Sequence, residues 1–245
     1  MRTLKSLVFA LLLSAPLWPQ TAAELVARNL QAKGGVEKIK ALRTLRATGK
    51  VQQGTLTFQV ENDAMAPNKL RQNYTLQGMT AVQAYDGITA WKIDPFGGRR
   101  DPEIMGDEEL RDMVEEANFA GPLVDYEAQG NRIEFLGKDT LDGDDVYRLK
   151  VTLKNGDLYY YYLDPETFLE VRVEKVQYIN GSVKESLIEC GSYKLVAGVY
   201  LPFTYEVGSK QHPENSSKVT YDKIVPNVEM DPAEFKMPAA PGKEF

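Results

Sequence analysis

Leu169-Glu170-Val171-Arg172-Val173-Glu174 alternates apolar and charged side chains without a break. A period of two places the two sets on opposite sides of an extended chain, so the segment is expected to be a strand with one buried face. The alternation recurs along the chain. Upstream, Tyr147, Leu149, Val151 and Leu153 alternate with Arg148, Lys150, Thr152 and Lys154, and Leu56, Phe58 and Val60 alternate with Thr57, Gln59 and Glu61. Downstream come Leu201, Phe203, Tyr205 and Val207, then Val219 and Tyr221. Further strands are expected at 70–76, 81–85, 89–93, 132–136, 158–163 and 184–190. Between them Asp86-Gly87, Asp142-Gly143, Asn155-Gly156-Asp157, Asn180-Gly181 and Ala197-Gly198 carry the side chains that tight hairpins require.

Two stretches switch to helical spacing. In 24–43, Leu25, Val26 and Leu30 precede the Gly34-Gly35 stop, and Val36, Ile39 and Leu42 follow it, which predicts a helical hairpin. In 107–119, Leu110, Met113, Val114 and Ala117 form a stripe, with Asp107 as the expected cap and Glu108 and Glu109 at the positive end of the helix. About ten or eleven antiparallel strands with two helical covers predict a mainly β fold with helices (α+β), a strongly curved sheet under a helical lid. No change of composition divides residues 24–245, which are expected to form a single domain ending in a Pro-rich tail at 232–245.

The first 23 residues differ from the rest. Arg2 and Lys5 precede an apolar run from Leu7 to Leu13, and Pro16 and Pro19 lead to Ala22 and Ala23. This is the pattern of a secretory signal peptide, and the run is far shorter than the roughly 20 residues needed to span a bilayer. Taking Arg2 and Lys5 from the 29 basic residues leaves 27 against 35 acidic ones, a net charge of −8. So acidic a chain argues against nucleic acid as a partner. A single cysteine, Cys190, permits no internal disulfide. No Cys follows the signal segment to carry a lipid anchor, so the expected product is exported, periplasmic and unanchored.

Catalytic sets are missing. His212 is the lone histidine, so neither a His-based metal site nor a Ser-His-Asp triad can be assembled. Cys190 has no second Cys or His to activate it, and Gly97-Gly98-Arg99-Arg100 is no phosphate loop. The carboxylates at Asp142, Asp144 and Asp145 belong to a turn, and those at Glu108, Glu109, Glu115 and Glu116 to the polar side of a helix. No enzyme activity, metal or cofactor is expected. Aromatic content points elsewhere, to binding: 13 Tyr and 9 Phe, with Tyr159 to Tyr162 consecutive, suit an apolar sheet face that could hold a lipid tail. The candidate lining is Phe58, Trp91, Met113, Leu149, Val151, Tyr160, Leu169, Val171 and Val173.

Several motifs, in order, resemble the LolA/LolB-like superfamily of periplasmic lipoprotein carriers. They are Leu30-Gln31-Ala32-Lys33-Gly34-Gly35, Tyr85-Asp86-Gly87-Ile88-Thr89-Ala90-Trp91 with Asp94-Pro95, Tyr162-Leu163-Asp164-Pro165-Glu166-Thr167-Phe168-Leu169, and Gly198-Val199-Tyr200-Leu201-Pro202-Phe203. The resemblance implies a half-open antiparallel β-barrel with a helical lid and a cavity for acyl chains. Transport of a lipoprotein or free lipid toward the outer membrane would follow, with lipoprotein-transfer proteins of the inner or outer membrane as partners. A lid-locking arginine would correspond to Arg46, Arg71 or neither. The same fold also admits a lipid-sensing regulatory module of envelope-stress signalling that transports nothing.

Overall fold

A computed structural model describes residues 20–239; the segment 1–19 of the expected signal peptide and 240–245 of the tail lie outside them. The chain begins with α1 (Ala22–Ala32) and α2 (Val36–Ala41). Six strands follow: β1 (Thr44–Gln53), β2 (Leu56–Met65), β3 (Lys69–Leu76), β4 (Met79–Tyr85), β5 (Ala90–Asp94) and β6 (Arg99–Ile104). After α3 (Asp107–Ala117) come β7 (Arg132–Leu141), β8 (Asp144–Thr152), β9 (Leu158–Leu163), β10 (Glu170–Ile179) and β11 (Ser182–Gly191). The last strands are β12 (Lys194–Val196), β13 (Val199–Leu201), β14 (Thr204–Ser209) and β15 (Ser217–Pro226). Thirteen of them form one antiparallel sheet, ordered β6-β5-β4-β3-β2-β1-β15-β14-β11-β10-β9-β8-β7, while β12 and β13 pair separately. Its outer strands do not pair with each other, so no closed barrel forms.

The count exceeds the ten or eleven expected because β6 and β12 lack a readable alternation, β1 precedes the first strand expected, and the strand expected at 201–207 is divided between β13 and β14. β6 holds Arg99, Arg100, Asp101 and Pro102, and an edge strand tolerates Pro because one side of it needs no partner. The hairpin turns behave as their residues require. Asp142 and Gly143 have φ of +52° and +101°, and Asn180 and Gly181 have +50° and +79°, the left-handed pair that matches strand twist.

One face of the sheet, the inner face, carries the core. Over β7–β10 it is filled by the N-terminal hairpin: Leu25, Val26 and Leu30 pack with Leu149, Val151, Tyr161, Leu163 and Val173. Burying each such aliphatic side chain contributes about 1.5–3 kcal/mol. α1 starts with a reciprocal cap, Thr21 Oγ1 accepting from the Glu24 N–H at 3.2 Å and Glu24 Oε2 from the Thr21 N–H at 3.0 Å. Gly34 ends it at φ +118°, where a Cβ would stand 2.1 Å from the Gly198 carbonyl oxygen. The helical turn thus lies directly on the β12–β13 turn, which the Tyr200 N–H joins to the Lys33 carbonyl at 2.8 Å.

The expected alternation fails at β10. Its register with β9 shifts between Glu170 and Arg172, so Val171 occupies a bulge and Glu170 turns inward. Glu170 is buried, and the Lys33 ammonium meets it at 3.0 Å. Tyr193 also donates to its carboxylate at 3.1 Å. The Pro-rich tail is anchored at one residue. Phe235 is fully buried, and its carbonyl accepts the Trp91 indole N–H at 2.9 Å.

Candidate functional site

Where the N-terminal hairpin does not reach, the inner face of β1–β5, β14 and β15 encloses a cavity of about 740 Å³. The register shows which side chains enter it. Val51 pairs with Phe58, Gly49 with Val60, and Ala47 with Asn62; β2 continues this face through Val60–Tyr74, Asn62–Gln72 and Ala64–Leu70, and β3 through Tyr74–Ala81 and Gln72–Gln83. From the other side come Val219 and Tyr221 on β15, Tyr205 and Val207 on β14, Ile188 on β11 and Lys175 on β10. The wall is apolar at Val51, Phe58, Val60, Phe96, Val207 and Val219, and polar in the row Asn62, Gln72, Gln83 and Lys92. Room exists because several inward positions hold small side chains: Ala47, Ala64 and Ala81.

α3 crosses this space. Gly106 rather than Asp107 precedes the helix, and Glu109 reaches back to accept the Gly106 N–H at 3.2 Å. Met113 and Ala117 close one end of the cavity by packing on Ala64, Leu70, Tyr85 and Ala90. Val114, expected on that stripe, is exposed. The carboxylates expected in solvent instead tie the helix down. Lys92 on β5 pairs with Glu109 at 2.5 Å; Lys175 on β10 reaches Glu115 at 3.4 Å, and Lys184 on β11 reaches Asp112 at 2.8 Å. Gln177 donates to Asp112 at 3.1 Å, and the Tyr159 hydroxyl donates to Glu115. Arg46 and Arg71 do not touch α3. Arg46 pairs with Asp63 through two hydrogen bonds of 2.6 and 2.7 Å, and Arg71 donates to the Glu234 carbonyl at 2.7 Å.

Burial sets the electrostatics. It pushes the Glu115 and Glu116 carboxyls up, against the opposing pull of Lys175. Glu116 lies deep in the protein with its surface open, because it faces the cavity. For Glu170, burial acts upward as well, but the Lys33 ammonium and the Tyr193 hydroxyl hold its carboxyl below the ordinary value. The cavity tyrosines are also raised by burial, Tyr221 to about 12. The two kinds of shift oppose each other in pH. Raised carboxyls bind protons more tightly in the folded state, so stability from Glu115 and Glu116 is complete below their unfolded value and fades as pH rises through the raised one. Glu170 contributes above its unfolded value and loses that contribution as pH falls through the lowered one. Denaturant unfolding from pH 8 to 3 is therefore expected to show stability rising toward the acid side and then collapsing below about pH 4. Replacing Glu115 and Glu116 by Gln should flatten the limb above pH 5 and leave the acid collapse in place.

Of the nine residues expected to line a ligand site, Phe58 lies on the cavity wall. Leu149, Val151 and Val173 are in the core under α1, and Met113 is in the α3 cluster. Trp91 faces the opposite side of β5, packed with Val82 and Ala84 beneath the tail. Tyr160 also faces that opposite side, with the Arg148 guanidinium 4.9 Å from its ring centre. Leu169 belongs to the turn before β10, and Val171 to its bulge. Among the described residues no group of three or more His, Cys, Asp or Glu is placed to hold a metal, and no helix is long and apolar enough to cross a membrane.

No protein-family model matches the sequence, and no curated protein matches it significantly. Solved structures do. A DUF1329 family protein from Desulfovibrio piger matches with TM-score 0.58 at 13% identity, over 88% of this chain and 97% of that one. A LolA superfamily protein from Nitrosomonas europaea matches with TM-score 0.57 at 12% identity, over 89% and 98%. A putative outer membrane lipoprotein-sorting protein domain from Vibrio parahaemolyticus matches with TM-score 0.54 at 14% identity, over 86% and 97%. The chain has the fold shared by the LolA superfamily and outer-membrane lipoprotein-sorting domains.

Proposed function

We propose that the protein is an exported periplasmic carrier that takes up the acyl chains of a lipid or lipoprotein in this cavity, without turnover. The observation that carries the proposal is the cavity itself, some 740 Å³ with an apolar section walled by side chains from β1, β2, β14 and β15. Such a volume falls within the range of small-molecule sites. The sheet would curl around it as a half-open barrel. β5 and β10 stand eight steps apart in strand order, about 38 Å in a flat sheet at about 4.8 Å per step, yet both pair with α3, whose eleven residues span only about 16 Å. α3 would then act as the lid, latched from both sides.

Gentle purification followed by solvent extraction and mass spectrometry tests this. The expected result is an acyl lipid at a near-stoichiometric amount, with saturable uptake of N-phenyl-1-naphthylamine once the lipid is stripped. Lipid-free protein that shows no saturable uptake would contradict it.

A further inference from the structure

The polar part of the cavity wall has an unusual balance. In the row Asn62, Gln72, Gln83 and Lys92, α3 engages two members, Gln72 donating to Glu116 at 3.1 Å and Lys92 pairing with Glu109 at 2.5 Å. Asn62 donates its amide N–H to the Tyr221 hydroxyl at 2.6 Å, and its carbonyl oxygen is buried behind the cavity surface, out of a ligand's reach. Glu116 accepts that one hydrogen bond from Gln72, and among the described residues it forms no ion pair. Both cavity-facing cations are already engaged, Lys92 by Glu103 and Glu109 and Lys175 by Glu115. What the cavity offers a ligand at this level is therefore acceptor oxygen and negative charge, next to the apolar wall of Phe58, Val60 and Val219.

An anionic head would bring a like charge to Glu116 while both cavity cations are already paired with carboxylates. A hydroxylated or ammonium head would donate to the Glu116 carboxylate. We infer that the cavity selects amphiphiles whose head group carries no negative charge and donates a hydrogen bond to the Glu116 carboxylate. The chain of the amphiphile then lies along Phe58, Val60 and Val219. The inference rests on the acyl-chain reading and narrows it to a head-group class.

Three twelve-carbon probes separate the two ideas: 1-monolauroylglycerol, dodecylamine and laurate, titrated calorimetrically into the delipidated full-length mature protein at pH 7.5, each below its micelle concentration. The glycerol ester and the amine are expected to bind at least about tenfold more tightly than laurate. Glu116→Gln should remove most of the amine's advantage and leave the glycerol ester within about threefold, because an amide still accepts a hydrogen bond but carries no charge. Laurate binding as tightly as the other two, or an amine-to-laurate ratio unchanged by Glu116→Gln, overturns the head-group inference while leaving the carrier reading intact. Binding of none of the three overturns the carrier reading, and the inference with it.

Discussion

Ala81→Trp is expected to abolish lipid uptake while the protein stays folded. Ala81 lies on the cavity wall directly across from Tyr74, so the indole extends into open space rather than into packed core. Forcing a large side chain into a filled interior typically costs about 1–3 kcal/mol, whereas an open cavity asks for less. The unfolding midpoint should therefore move little, and N-phenyl-1-naphthylamine affinity should fall at least about tenfold, equivalent to about 1.4 kcal/mol. Thr80→Trp, at the neighbouring exposed position on the other face, should leave uptake unchanged. If Ala81→Trp binds the dye normally, the ligand does not enter between these strands.

Lys33→Met is expected to give a large loss of stability. The Lys33–Glu170 pair fastens the end of α1 to the bulge of β10, and Glu170 has almost no access to solvent. Removing the cation leaves a buried carboxylate with the Tyr193 hydroxyl and its own backbone N–H but no opposite charge, a change of the kind that costs about 3 kcal/mol or more. Two further results identify the cause. Adding Glu170→Met should restore most of the stability, since two apolar side chains replace the pair without an orphaned charge. In the single variant the defect should shrink as pH falls, because the Glu170 carboxyl, no longer held low by Lys33, can protonate. A defect that is independent of pH would instead place the loss in the packing of the lysine stem.

Strand positions were readable in the sequence wherever alternation is local: β8 buries the side that Tyr147-to-Leu153 predicted, and β2 turns Phe58 and Val60 to the cavity, while Leu56 at its start is exposed. β10 misleads because its inward Glu170 is stabilised by Lys33, 137 positions away, and no local pattern announces that pairing. Trp91 misleads for a related reason. Its face of β5 is made apolar by Phe235, 144 positions downstream, so an aromatic side chain that suggested a ligand wall is instead covered core. The cavity was missed for the opposite cause. A search for large apolar residues passes over Ala47, Asn62, Gln72, Ala81 and Gln83, yet small and amide side chains at successive inward positions are what leave a face unfilled. That signal lay in the same alternation, which places Gln72 with Leu70 and Tyr74 and Gln83 with Ala81 and Tyr85. The acidic side of α3 was likewise expected in water, because its lysine partners come from β5, β10 and β11.

The most direct test is where a bound acyl chain lies. Intermolecular nuclear Overhauser contacts should be measured between the chain of bound 1-monolauroylglycerol and the protein in solution. Contacts from the chain methylenes to the Phe58 ring and to the methyl groups of Val51, Val60 and Val219 are the result predicted for an acyl-binding cavity between β1, β2 and β15. Contacts confined to Leu149, Val151 and the underside of α1, or a saturated complex with none to the cavity wall, would contradict it.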